Sequence, residues 1–212
     1  MEATEAAEII SDLNEEKVEA AAEARFRNRA ALQIAIIAAM LAIGGLGGEK
    51  SRDEMVANNI KASDAWSFYQ AKNLRQTMYA LAADQVKAEI AAAGNAPAAA
   101  QVSNAARLKK YQSTVTRYED EPDPKAPGVE TKGEGKKQLK ARAESFERAY
   151  DEASARNESF DWAETALQLA VVLGSVAILA LNRWILIASA ALGVLGLLLV
   201  ANGYLMLVPV GS

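Results

Sequence analysis

Glu164 is the residue in this chain most suggestive of chemistry. It lies two positions past Trp162, at the head of a run free of charge from Thr165 to Asn182. Ionisable groups inside apolar segments are costly and are often retained for a function. Gln168 follows one helical turn later, so a carboxylate and an amide share one face. In an assembly of several copies this pair could ring a cation path. The plainer alternative, favoured by the position near an interface, is that Glu164 reaches back to water or caps a helical hairpin.

Two other constellations fall short of chemistry. Gly44-Gly45-Leu46-Gly47-Gly48-Glu49-Lys50-Ser51 looks like a phosphate-binding loop, but Glu49 separates glycine from lysine and no strand precedes it. Its glycines are expected to form a flexible exit from an apolar helix. The acidic run Glu119 to Asp123 lacks the spaced oxygen ligands and the glycine of a calcium loop. The chain has no cysteine and no histidine, which removes thiolate chemistry, most zinc, copper and haem ligation, and the commonest general base. No catalytic residue, cofactor or metal site is therefore expected, and the protein is read as non-enzymatic.

The elements that position these residues follow from how charge is segregated. Hydrophobic residues make up 51% and charged residues 24% of the 212, yet Ala30 to Gly48, Thr165 to Asn182 and Trp184 onward carry no charge. These gaps predict three transmembrane helices, at 30–48, 162–181 and 184–207, each about the ~20 residues that span a bilayer. Residues 1–29 form an acidic arm with eight carboxylates against Lys17, followed by the basic flank Arg25, Arg27 and Arg29. Its Ile9, Ile10, Leu13 and Val18 share one side of a helix that could dock a cytoplasmic partner, the alternative being a solvated, partly helical arm repelled by anionic lipid. Because the arm is acidic, a cleaved signal peptide is not expected.

The arginines place the N-terminus in the cytoplasm by the positive-inside rule, and Arg183 in the turn between spans two and three agrees. Trp162 and Trp184, 22 residues apart, would mark the two interfaces of span two, and Tyr204 the far end of span three. Residues 208–212 form a short tail on which nothing rests. Ala166, Ala170 and Gly174, Ser189 and Gly193, and Gly44 and Gly48 recur every four residues, the spacing of close helix contact in lipid. Gln33 and Asn202 add isolated polar groups to a cation path of the kind above, but pairs between helices are expected to explain them as well.

Between spans one and two, residues 49–161 carry eighteen charges of each sign and are rich in helix formers. They predict a long helical insert: one helix to Ala93, a stop at Gly94-Asn95-Ala96-Pro97, a second helix over Ala98–Tyr118, a solvated linker at 119–134, and a third helix from about Gly135. Leu108, Tyr111, Val115 and Tyr118 alternate at spacings of three and four, as do Leu139, Ala143, Phe146, Tyr150, Ala153, Asn157 and Phe160. This is a coiled-coil seam, and it continues through Glu164, Leu167 and Val171. Lengths allow either a long antiparallel stalk or a compact three-helix bundle. Trp66, Tyr69, Gln70, Asn73 and Thr77 share a face that mixes aromatic and amide groups, as an interface does, although packing against the returning helix explains the aromatics as well.

The run Lys61-Ala62-Ser63-Asp64-Ala65-Trp66-Ser67-Phe68-Tyr69-Gln70-Ala71-Lys72, after an Arg-flanked span and before a two-span hairpin, resembles bacterial membrane proteins of the domain-of-unknown-function family 4337. That resemblance covers the chain from Asn28 to the last span. It implies this architecture and a bacterial inner membrane, and implies no activity; the periplasmic placement expected for the insert comes from the arginines by the positive-inside rule.

The expected class is an all-α membrane protein of three transmembrane helices with a coiled-coil-like extramembrane insert between helices one and two. Its expected role is a homo-oligomeric scaffold contacting membrane lipids, with Trp66, Tyr69, Gln70, Asn73, Leu139, Phe146, Tyr150 and Phe160 as candidate interface residues. An accessory subunit bound to unlike chains and an ion or small-solute channel through Glu164 and Gln168 are the alternatives. Lacking a basic surplus beyond the three arginines, the chain is not expected to bind nucleic acid.

Overall fold

The computed structural model describes residues 2–94 and 97–208, with side chains from Leu13 onward. Asn95 and Ala96 of the expected stop, residues 209–212 of the tail, and the side chains of Ile9 and Ile10 lie outside what is described. Four helices follow in order: α1 Glu2–Ala92, α2 Ala98–Glu119, α3 Lys136–Ala180 and α4 Arg183–Leu205. Stretches of α1, α3 and α4 are long and apolar enough to cross a membrane. Among the described residues no strand forms, and the only strand-like pairing is an isolated bridge between Pro122 and Gly133.

The first span and the polar helix after it are one continuous element of 91 residues, which corrects the expectation of a flexible glycine exit. Glycine weakens an isolated helix because it loses most backbone freedom on folding. Here tertiary contact overrides that preference, since Gly44, Gly47 and Gly48 are all buried. A side chain at Gly47 would put its Cβ 2.5 Å from Phe160 Cζ, so only glycine admits the ring.

The chain divides into two compact units, residues 1–53 with 153–212, and Glu54–Glu152. In the first, Ile37, Phe160, Ala163, Leu167, Ala170 and Val200 form the core. Contacts set the directions: Gln33 meets Leu186 and Ser189 while Tyr204 meets Ile43, so α1 and α4 run parallel. Gly174 lies against Ile34 and Gly196 against Leu167, so α3 packs on both and runs antiparallel to them. The turn from α3 to α4 takes left-handed backbone at Leu181 (φ 48°). Asn182 then caps α4 by accepting from Trp184 N–H at 2.9 Å, satisfying an amide that the helix itself cannot.

The small residues Ala166, Ala170, Gly174, Ser189, Gly193, Gly44 and Gly48 are all buried inside this unit. The close contacts predicted for them are made within one chain. Past Phe160 the buried line of α3 moves to Ala163, Leu167, Ala170 and Gly174, leaving Glu164 and Val171 half-buried. The reason is geometric: α3 faces two helices there and buries a wider stripe than a two-helix seam.

In the second unit α1 carries an uninterrupted seam at Ala62, Ala65, Tyr69, Lys72, Gln76, Tyr79, Ala83 and Val86, each buried or half-buried. Spacings of three and four hold it in line along a slightly supercoiled helix. Its partners follow one another along α1 in reverse order: Glu89 pairs with Arg107, Gln76 reaches Val115 and Glu119, Lys72 reaches Glu121, and Trp66 reaches Glu147. Thus, within this unit, α2 covers the later part of α1 and the start of α3 covers the earlier part. The seam α2 brings, Leu108, Tyr111, Val115 and Tyr118, is half-buried throughout.

Candidate functional site

The three apolar helical stretches are joined by a few polar groups, each with a partner. Gln33 Nε2 donates to Leu186 O at 3.3 Å and to Ser189 Oγ at 3.1 Å, and Ser189 Oγ donates on to Ala170 O at 2.7 Å. One chain of bonds therefore ties α1, α4 and α3. Asn202 Nδ2 donates to Ser159 Oγ at 3.1 Å and to Val208 O, while its Oδ1 accepts from Val208 N–H, fixing the chain just past α4. The pairing between helices expected for Gln33 and Asn202 is found for both.

Where the charge-free runs end, Tyr204 donates its hydroxyl to Ile43 O at 3.1 Å and presents its ring edge-on to Phe160. Arg52 bonds Asp161 on the next turn, and Asn157 Nδ2 donates to the other oxygen of that carboxylate at 2.8 Å. Asn157 Oδ1 is buried without a partner. Arg29 and Arg183 lie at the opposite end of the parallel pair α1 and α4, and Trp162 and Trp184 are both exposed.

Glu164 and Gln168 satisfy each other: Gln168 Nε2 donates to Glu164 Oε1 at 2.9 Å. Glu164 is half-buried and Gln168 exposed, so the pair sits on the outside of the three-helix unit. Among the described residues, no group of three or more carboxylates is arranged to hold a metal ion.

The candidate interface residues separate into two sets. Leu139 and Phe160 are buried within this chain's own packing and not free to meet another chain, while Phe146 and Tyr150 are half-buried. Trp66 donates to Glu147 Oε1 at 2.8 Å and stacks edge-on with Tyr69, whose ring faces the Lys136 ammonium at 5.6 Å. Gln70, Asn73 and Thr77 are exposed on the flank. Neither set is the most apolar free surface of the unit Glu54–Glu152.

That surface lies on the opposite side of α1 from its seam. Val56, Ile60, Leu74, Met78 and Leu81 are between 56% and 65% exposed. Ile60, Ser67, Leu74 and Leu81 recur every seven residues, with Ala71 and Met78 beside them. Sequence reasoning followed the aromatics of this helix and passed over the aliphatic row. The signal was the same heptad spacing that revealed the seam of α3.

The segment 120–135 is folded rather than simply solvated. Lys72 Nζ bonds Glu121 Oε2 at 3.0 Å and Glu134 O, and Arg142 donates to Thr131 O and Gly133 O. Gln138 donates to Asp120 Oδ1 at 2.8 Å and accepts from Glu121 N–H. Lys136 bridges Gln76 and Glu119. Hydrogen bonds from Gln76 and then Lys136 hold the Glu119 carboxyl below its ordinary range. Gln138, and after it Lys137, do the same for Asp120.

The model of the family described as domain of unknown function (DUF4337) matches residues 26–206. The chain belongs to the DUF4337 family. The match takes in the three apolar stretches and the helical unit between them, so the aliphatic row of α1, Glu164 and the segment 120–135 all fall inside the DUF4337 region. No curated protein and no solved structure matches the chain.

Proposed function

We propose that this DUF4337 chain is a non-enzymatic, homo-oligomeric scaffold of a bacterial inner membrane, with residues 30–48, 162–181 and 184–207 as its spans. Arg25, Arg27, Arg29 and Arg183 at one end of the parallel helices support a cytoplasmic N-terminus and hairpin, by the positive-inside rule. The unit Glu54–Glu152 then stands on the periplasmic side as the extramembrane insert.

The observation that carries the proposal is the exposed row Val56, Ile60, Leu74, Met78 and Leu81. Copies inserted the same way in one membrane present these rows in parallel, with identical residues level, as a two-fold parallel coiled coil requires. A largely exposed aliphatic side chain gains roughly 1–2 kcal/mol on burial, so five residues on each of two chains gain roughly 10–20 kcal/mol. Association costs on the order of 4–15 kcal/mol, less for chains already confined to a membrane plane, so the gain prevails.

The test is mass by light scattering of the detergent-extracted protein, with mass spectrometry of the same peak. A discrete multiple of one chain that falls to a monomer in Leu74→Asp with Leu81→Asp supports the scaffold. A wild-type monomer overturns it. Unlike chains at fixed ratio, lost in the same double variant, would make the row the contact of an accessory subunit.

A further inference from the structure

Alongside the junction of α1 and α4, a groove of about 340 Å³ opens on the surface of the three-helix unit. Its walls are apolar, with Ile36, Met40, Val194 and Leu197 among them, and Arg29 stands at one end. The floor is set by Gly193, where a Cβ would lie 3.0 Å from Ile37 Cδ1, so the two helices nearly touch beneath the opening.

Arg25, Arg29, Leu32, Ile36 and Met40 follow one another at spacings of three and four, placing two guanidinium groups and then three apolar side chains on one stripe of α1. Arg27 is committed to Glu23 at 3.3 Å, whereas Arg29 has no carboxylate partner among the described residues. From Arg29 to Met40 the helix rises about 17 Å. That is close to half of the ~30 Å hydrocarbon core, the depth of a single leaflet.

An amphiphile with a negative head and an apolar tail matches this arrangement. A guanidinium binds a phosphodiester through two parallel hydrogen bonds, and basic groups at the mouths of clefts between spanning helices select anionic lipid heads. We infer that the groove between α1 and α4 binds one acyl chain of an anionic glycerophospholipid, whose phosphate is held by Arg29 with Arg25 one turn away. The inference rests on these helices crossing a membrane, as proposed above.

Native mass spectrometry of the full chain, released from micelles doped with equal amounts of phosphatidylglycerol and phosphatidylcholine of matched chain length, reads the site directly. The wild type should retain phosphatidylglycerol about fivefold over phosphatidylcholine, the preference one added interfacial charge gives. Arg29→Gln should lose that preference while Arg27→Gln keeps it. Val194→Phe, at an exposed position on the groove wall, should lower retention of both lipids. Circular dichroism confirms that each variant keeps the wild-type helix content.

Equal retention of the two lipids by the wild type, or a preference untouched by Arg29→Gln, overturns the site. If the chain remains monodisperse in detergent-free buffer and partitions away from membranes, the membrane reading itself fails. A chain that needs micelles yet shows no lipid preference removes only the groove.

Discussion

Replacing Gly47 by alanine should destabilise the three-helix unit even though alanine is the better helix former. The new methyl carbon would lie 2.5 Å from Phe160 Cζ and 2.6 Å from Cε1. Carbon atoms rest at about 3.5–4.0 Å, so the ring must retreat by about 1 Å. It has little room, because a Cβ at Gly203 on the other side would also lie only 2.7 Å from Cζ, and the Tyr204 ring stands 5.0 Å away.

Overpacking of this kind costs about 1–3 kcal/mol, against a gain of about 0.5–1 kcal/mol for removing a glycine from a helix. The net expectation is a loss of about 0.5–2 kcal/mol. Gly45→Ala is the matched control, since nothing lies within 4 Å of its Cβ position, and it should gain about 0.5–1 kcal/mol. Reversible denaturation in mixed micelles, followed by circular dichroism, measures both, and adding Phe160→Leu to Gly47→Ala should recover part of the loss. If Gly47→Ala proves as stable as Gly45→Ala, the close approach of α1 to Phe160 is wrong.

Three further outcomes can be checked with the same material. Ser189→Ala removes both the donor to Ala170 O and the acceptor for Gln33, and should cost about 0.6–2 kcal/mol in the same denaturation assay; no change would make the link dispensable. Lys72→Met leaves Glu121 and Glu134 O without their cation, so limited trypsin digestion should cut at Lys125 or Lys132 well before the wild type is cut there. Because the Glu119 and Asp120 carboxyls are held below their ordinary values, their contribution to folding is present above about pH 4 and is lost as pH falls through the lowered values. Hydrogen exchange of amides 119–135, corrected for intrinsic rate, should therefore quicken below pH 4 and not between pH 5 and 8.

Much of this fold was legible because it is written in charge and periodicity. The charge-free runs gave the apolar stretches, Pro97 and Gly135 bracketed α2 and the start of α3 to within a residue or so, and the seam from Leu139 to Phe160 is the observed one. Continuity of α1 through Gly44–Gly48 was not legible, because local propensity argues for a break and the contacts that override it come from Phe160 and Val200, more than a hundred residues away. The folding of 120–135 was hidden for a related reason: its proline-rich composition reads as solvated until Lys72, 49 residues before Glu121, and Arg142 are brought to it. Small-residue spacing in the spans announces close contact without saying whether the partner belongs to the same chain. Glu164 and Gln168 were legible as neighbours one turn apart on one face, and the structure adds the hydrogen bond between them and their place on the outside of the three-helix unit.

The assembly proposed here depends on the aliphatic row of α1, and the absence of native cysteine allows a direct trial. Single substitutions Ile60→Cys, Leu74→Cys and Leu81→Cys, with Asn73→Cys on the exposed flank as control, would be oxidised in native membranes and resolved by non-reducing electrophoresis. A disulfide needs Cα atoms about 4.4–6.8 Å apart, which symmetric positions of a parallel seam satisfy and flank positions do not. The expected result is a covalent dimer at 60, 74 and 81 and a monomer at 73. Monomer at all four positions, or equal cross-linking at 73 and 74, would contradict association of α1 along this face.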